Sequence, residues 1–150
     1  EQSVETLGVM QVVRLPLTPG ARVVLSGCRT ASGVALPGEG VQALWRAFLV
    51  ARASFVLSTL RPVDDRSAAH WMMAFHSAAA DGLPLAEAAR HASLGWVEGR
   101  SRPSFPRGHS VTDEAHPYLW AAWTCVGHDG GPLPRPGEPS PSSASPESPR

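Results

Sequence analysis

A chain of 150 residues whose last twenty or so differ sharply from the rest has room for one domain of ordinary size, and its hydrophobic fraction of 43%, with five Trp and four Phe, can fill one core. Thirteen basic residues balance thirteen acidic ones, so no global field recruits nucleic acid or anionic lipid, and neither is an expected partner. No apolar run approaches the ~20 residues needed to cross a bilayer, and no basic segment followed by an apolar one opens the chain, so a cytoplasmic location is expected. Cys28 and Cys125 stand far apart with no Cys-x-x-Cys or Cys/His spacing; that fits neither a disulfide scaffold nor a metal site, and no cofactor is expected. The chain begins with Glu1 instead of Met, as a processed product, a fragment or an incomplete gene model would.

Val4, Leu7, Met10 and Val13 recur at helical spacing, and the spacing predicts a short helix from Val4 to Leu15, stopped by Pro16 and by Thr18, Pro19 and Gly20. Val23, Val24 and Leu25 form a short β-branched run, and residues 22–26 read as a buried strand. A loop of small residues from Gly27 to Gly38 follows. Val41, Leu44, Trp45, Phe48 and Leu49 then lie on one helix face, with Glu39 near its positive end. Ser54 to Leu60 reads as a second buried strand, halted by Pro62. Asp64 or Asp65 is placed to cap a helix over about 66–80, whose Ala, Met, Trp and Phe content predicts extensive burial.

Pro84 opens a third helix with the stripe Leu85, Ala88, Ala89, Ala92 and Trp96, fading near Gly99. Gly99 to His116, broken by Pro103, Pro106 and Gly108, reads as a long loop, and the run from Leu119 to Val126 reads as a strand. Strands alternating with helices imply an α/β fold with parallel pairing. Three strands make a thin sheet with an exposed edge, which is expected to be completed by strands before residue 1 or by another chain. Residues 1–128 form the expected domain, and 129–150, dominated by Pro, Ser and Gly, an expected disordered tail. Its proline clusters at 132–136 and 136–139, and Ser140, Ser145 and Ser148 before prolines, are compatible with polyproline II recognition or with a solvated extension.

In an open parallel sheet, ligands bind beyond the carboxyl ends of the strands. Two reactive segments end there, Ser26 to Thr30 and Leu60 to Asp65. Gly27 permits close backbone approach, and its N–H with that of Cys28 is suited to an oxyanion. A thiol at position 28 is either a nucleophile or a buried free cysteine, a residue type often fully inside.

The segments RVVLSGCRT (22–30), GEGV (38–41), RAFL (46–49), LRPVDD (60–65) and HPYLWAAW (116–123), in this order, resemble the CHAT family, caspase-like domains often joined to tetratricopeptide repeats. The resemblance spans about residues 20–128 and matches the C-terminal half of such a domain. It implies a caspase-like three-layer sandwich, a mostly parallel sheet flanked by helices and incomplete at the N-terminus. It also implies a cysteine endopeptidase of the caspase and separase clan acting through a His–Cys dyad on a protein or peptide, with Cys28 at the nucleophile position. Gly27, Arg29, Arg61, Asp64 and Asp65 would surround the thiol.

The family's histidine precedes the nucleophile in a His-Gly element, whereas all six histidines here (70, 76, 91, 109, 116 and 128) follow Cys28. The chain alone is therefore expected to be inactive, and a degenerate, non-catalytic module for protein association is the alternative. Arg29 stands where the family usually has Glu, Arg61 where it has Trp, and Arg52 where glycine commonly follows the helix. Pointed inward, Arg29 and Arg61 would lower the Cys28 pKa and favour anions. Arg52 replaces the glycine only by avoiding positive φ or by accepting strain of ~1 kcal/mol.

Overall fold

A computed structural model describes residues 8–26, 34–36, 40–42, 44–102, 116–129 and 131. The elements are α1 (Val9–Val13), β1 (Ala21–Val24), β2 (Val34–Leu36), β3 (Gly40–Gln42), α2 (Leu44–Val50), β4 (Ala53–Thr59), α3 (Asp65–Ala80), α4 (Leu85–Val97), α5 (Pro117–Trp120) and β5 (Trp123–Gly127). The fold is α/β: a three-stranded sheet in the order β1-β4-β5, flanked by helices, and a separate hairpin of β2 and β3.

β4 is the central strand because both its faces are apolar: Phe55, Val56 and Leu57 are buried, as are Ser58 and Thr59. Phe55 and Leu57 join Trp71, Met72 and Phe75 of α3, Leu85, Ala92 and Trp96 of α4, and Leu119 of α5 in the larger core. On the other face, Ala53 and Val56 meet Val12 of α1 and Ala47 and Phe48 of α2. Side chains normally alternate along a strand, yet Ala53 and Val56 share a face. The cause is a bulge: Ala21 and Arg22 of β1 oppose Ala53 and Phe55, so Ser54 is an extra residue that shifts the alternation by one.

β1 and β4 pair in parallel as expected, but β5 runs antiparallel to β4. Among the described strands of this sheet one pairing is therefore parallel and one antiparallel, where a mostly parallel sheet was expected. α3 carries the chain to the sheet's amino end, where Ala86 meets Asp129, and α4 carries it back, so that α5 launches β5 from the carboxyl end of β4, where Thr59 faces Trp123. The expected strand from Leu119 is correspondingly a helical turn followed by a strand, because His116 caps that turn and Pro117 sits at its start. β1 is half-buried along its length, not buried, as befits an edge strand among the described residues.

The expected loop at 27–38 and the helix start at Val41 are also revised. Val34, Ala35 and Leu36 pair with Gln42, Val41 and Gly40, so Val41 belongs to β3 and the helix begins at Leu44. Two three-residue strands are too short to show a period. Val4, Leu7, Glu39, the segment 103–115 and the tail apart from Asp129 and Gly131 lie outside the described residues.

Asp64, not Asp65, caps α3: Ser67 N–H donates to its Oδ1 at 3.0 Å and the Ser67 hydroxyl at 3.2 Å. α3 is buried on one face only, with Met73 at 59% exposure opposite Trp71 at 0%, because the sheet and α4 cover a single side. Arg102 closes the carboxyl end of α4, its Nε donating to Trp96 O at 2.5 Å and its Nη2 to Val97 O.

Arg52 accepts the strain foreseen for it, with φ at 75°. It turns α2 into β4, donating its N–H to Leu49 O at 3.1 Å and accepting from Gly20 N–H at 3.0 Å. Arg52→Gly is expected to raise stability by about 0.5–1 kcal/mol in urea denaturation, because relief of left-handed strain exceeds the extra freedom glycine has when unfolded. A lower midpoint would show that the Arg52 side chain contributes more than its backbone strain removes.

Candidate functional site

Because β1 and β4 are parallel neighbours, both end at the same edge of the sheet, and Leu25 N–H donates to Leu57 O at 2.9 Å just before that edge. Cys28 follows Leu25 by three positions. Gly27, Cys28 and Arg29 themselves lie outside the described residues. On the adjacent strand the hydroxyl of Ser58 is fully buried without a hydrogen-bond partner among the described residues.

Arg61, expected beside the thiol, is folded onto α5. Its Nη1 donates to Tyr118 O at 2.5 Å, its Nη2 to Pro117 O at 2.8 Å, and its Cζ lies 4.3 Å from the centre of the Tyr118 ring. The cation thus pins the turn that launches β5 to the end of β4. Asp64 is engaged as the α3 cap, and Asp65 is exposed in the first turn, where the helix dipole favours its charge. The sheet edge brings these residues together around the exit of β4, each with a structural task.

His116 sits at the same end of the sheet, its Nδ1 accepting from Tyr118 N–H at 3.1 Å. His128 stands at the opposite end, where its N–H donates to Ser54 O at 2.6 Å. His70 and His76 lie on α3, and His91 on α4. Cys125, in β5, is an exposed residue with a free thiol. Its neighbours nonetheless desolvate the sulfur, and with the Asp129 carboxylate they push the thiol up to about 11 from 9.0. At neutral pH it carries its proton and is a poor nucleophile.

Asp129 was missed by sequence reasoning, which assigned it to the tail. Pro84 stands at the N-cap of α4 and makes no side-chain cap bond; Asp129 reaches across, its Oδ2 accepting from Ala86 N–H at 3.2 Å while its Oδ1 accepts from Gly131 N–H at 3.3 Å. The signal available in the sequence was a helix start with no capping side chain of its own. The Gly131 bond, reinforced by that of Ala86 and by His128 and Arg22, holds the Asp129 carboxyl below its usual value. A depressed carboxyl contributes stability above its ordinary pKa and loses it as pH falls through the lowered one. Asp129→Asn should therefore lower stability by about 0.5 kcal/mol at pH 7 and leave the two proteins equal near pH 2, as measured by urea denaturation at each pH. A deficit unchanged at low pH would mean that the carboxylate charge is not what matters.

Among the described residues no three His, Cys, Asp or Glu side chains gather into a metal-binding group. No helix among them is long and apolar enough to cross a membrane.

Residues 2–128 match the CHAT domain family. The chain is 36% identical over 107 residues to a mouse protein named tetratricopeptide repeat protein 28, a match covering 71% of this chain and 4% of that protein. The chain therefore spans a small part of the length of this curated relative. No solved structure matches.

Proposed function

The chain belongs to the CHAT domain family, and on that footing we propose that it is the C-terminal, nucleophile-bearing part of a caspase-like cysteine endopeptidase domain with Cys28 as the attacking thiol. The observation that carries this reading is the parallel pairing of β1 with β4, since β1 ends at the carboxyl edge, where α/β sheets bind ligands, and Cys28 follows its last residue, Val24, by four positions in sequence. The larger fold is a caspase-like three-layer sandwich, a reading supported by helices packed against both faces of the sheet. Residues 1–128 belong to it, and 129–150 extend from it as a solvated tail.

In this reaction the Cys28 thiolate adds to the scissile carbonyl, with the N–H groups of Gly27 and Cys28 receiving the oxyanion. Collapse expels the amine and leaves a thioester, which water hydrolyses. The base is a histidine outside residues 1–150, because the family's His-Gly element precedes the nucleophile. Arg29 beside the thiol favours the thiolate, and Arg61, Asp64 and Asp65 bound the site on the β4 side. The substrate is a protein or peptide, and the setting is cytoplasmic, where a free thiol such as Cys125 persists.

A second reading, a non-catalytic module for protein association beside tetratricopeptide repeats, draws support from the repeats named in the mouse relative. It is also favoured by Arg61, whose guanidinium braces α5. Alkylation of Cys28 against pH, in a Cys125→Ser background, separates the two. The peptidase reading expects reaction rates that reach half their maximum below pH ~8.5, the ordinary thiol value. A slow thiol titrating at the ordinary value supports the association module.

A further inference from the structure

We propose that the outer faces of α1 and α2 together bind an acidic amphipathic helix of a partner protein. Val12 of α1 and Phe48 of α2 are buried in one core with Val56 of β4. Two positions to either side of Val12 stand Met10 and Arg14, and two positions to either side of Phe48 stand Arg46 and Val50. A step of two residues turns a helix by about 200°, so each pair points away from the core that its neighbour enters. Because α1 and α2 pack on one another, the two pairs form one surface. Met10 and Val50 are each 66% exposed, and Arg14 and Arg46 are exposed beside them. Arg52, exposed two residues beyond Val50, adds a third cation.

Charge complementarity names the occupant. The chain is neutral overall but not evenly so: residues 1–63 hold six arginines and three glutamates, residues 64–150 seven arginines and ten acidic residues. No described residue before Asp64 is acidic, so the described part of this face attracts carboxylates and repels none. Every cation is arginine, since the sequence has no lysine, and a guanidinium receives a carboxylate through two parallel bonds. Arg46 already lies 5.9 Å from the centre of the Trp45 ring, which limits the freedom it loses on binding. Methionine and arginine are enriched where proteins meet. An amphipathic helix laid along the furrow between two others repeats apolar and acidic side chains at the same four-residue spacing. Three cations are too few for a nucleic acid, whose binders contact about 6–10 phosphates. Two apolar side chains bury less than the single acyl chain that holds a bilayer only marginally. Helices of 5 and 7 residues offer less than the ~800 Å² per partner of a standard interface, so binding is weak and salt-sensitive. The proposal uses neither Cys28 nor the residues around the exit of β4, and its test reads no activity.

Fluorescence polarisation of a labelled synthetic peptide of Glu-Glu-Leu-Leu repeats, about sixteen residues long so that it can form a helix, tests this on the full chain. The wild-type chain is expected to bind it with a Kd below about 100 µM at low ionic strength, and more weakly as salt is added. The double variant Arg14→Glu, Arg46→Glu should weaken binding about tenfold or more. Met10→Ser with Val50→Ser should weaken it about threefold through lost apolar contact. Arg90→Glu, on α4, makes the same kind of charge change away from α1 and α2 and should leave binding as it was. All five side chains are exposed, so the circular dichroism spectra should match the wild type; if the double reversal disturbs its spectrum, Met10→Ser with Val50→Ser decides. A peptide that does not bind overturns the proposal. So does an equal loss in Arg90→Glu, or tighter binding of a DNA duplex or of phosphatidylserine vesicles than of the peptide.

Discussion

Replacing Trp71 with alanine is expected to lower the unfolding free energy by about 3–5 kcal/mol, the range for removing a fully buried aromatic side chain and leaving a cavity. Trp71 is 0% exposed and lies at the centre of the larger core. Its ring stacks on Trp123 with centres 4.5 Å apart and on Phe75 at 5.6 Å, so one side chain joins α3 to β5 and to its own next turn. Its Nε1 donates to the Ser93 hydroxyl at 3.2 Å, which ties α3 to α4 as well. Such a loss is a large part of the 5–15 kcal/mol by which a domain is ordinarily stable, and the variant should melt far below the wild type. Trp71→Phe keeps most of the volume but loses the Ser93 bond, and should cost about 1–2 kcal/mol. A loss below about 1 kcal/mol for Trp71→Ala would mean that neighbouring side chains collapse into the space.

Gly127→Ala should be nearly as damaging, at about 2–4 kcal/mol, for a reason of backbone and not of burial. Gly127 ends β5 with φ at 97°. A Cβ there would lie 2.2 Å from the Ser54 carbonyl oxygen and 3.3 Å from Leu49 Cδ2. The near contact cannot be relieved by a rotamer change, because the obstacle is the backbone of the bulged residue of β4, whose carbonyl also holds His128 N–H at 2.6 Å. Alanine at 127 must therefore separate β5 from β4 or distort the bulge. Thermal melts would show this as a fall in Tm together with faster hydrogen exchange at His128 and at the amides of the β4–β5 ladder. An unchanged Tm would rule out the close approach.

Parts of this architecture are legible before any folding is considered. The stripe Leu85, Ala88, Ala89, Ala92 and Trp96 is buried as its spacing predicts. The run from Ser54 is a strand because its β-branched and aromatic side chains suit a surface packed on both faces. Asp64 was readable as one of two candidate caps. The family was readable too, from five short motifs in order. Other features left no mark: a strand has the same period in either direction, so the antiparallel course of β5 does not register in its residues. The hairpin of β2 and β3 is hidden by its shortness.

The partners of Arg61 and Asp129 show where local reading ends. Arg61 acts on carbonyls 56 and 57 positions away, and Asp129 caps a helix 43 positions before it. The family resemblance made one a cation near the thiol, and composition made the other a tail residue. Helix faces, caps and turns are recorded in the residues because each depends on neighbours within about four positions. Pairing direction, the bulge at Ser54, the clamp on α5 and the borrowed cap of α4 arise only when distant segments meet. Each is settled by which backbone groups would otherwise be left without a partner.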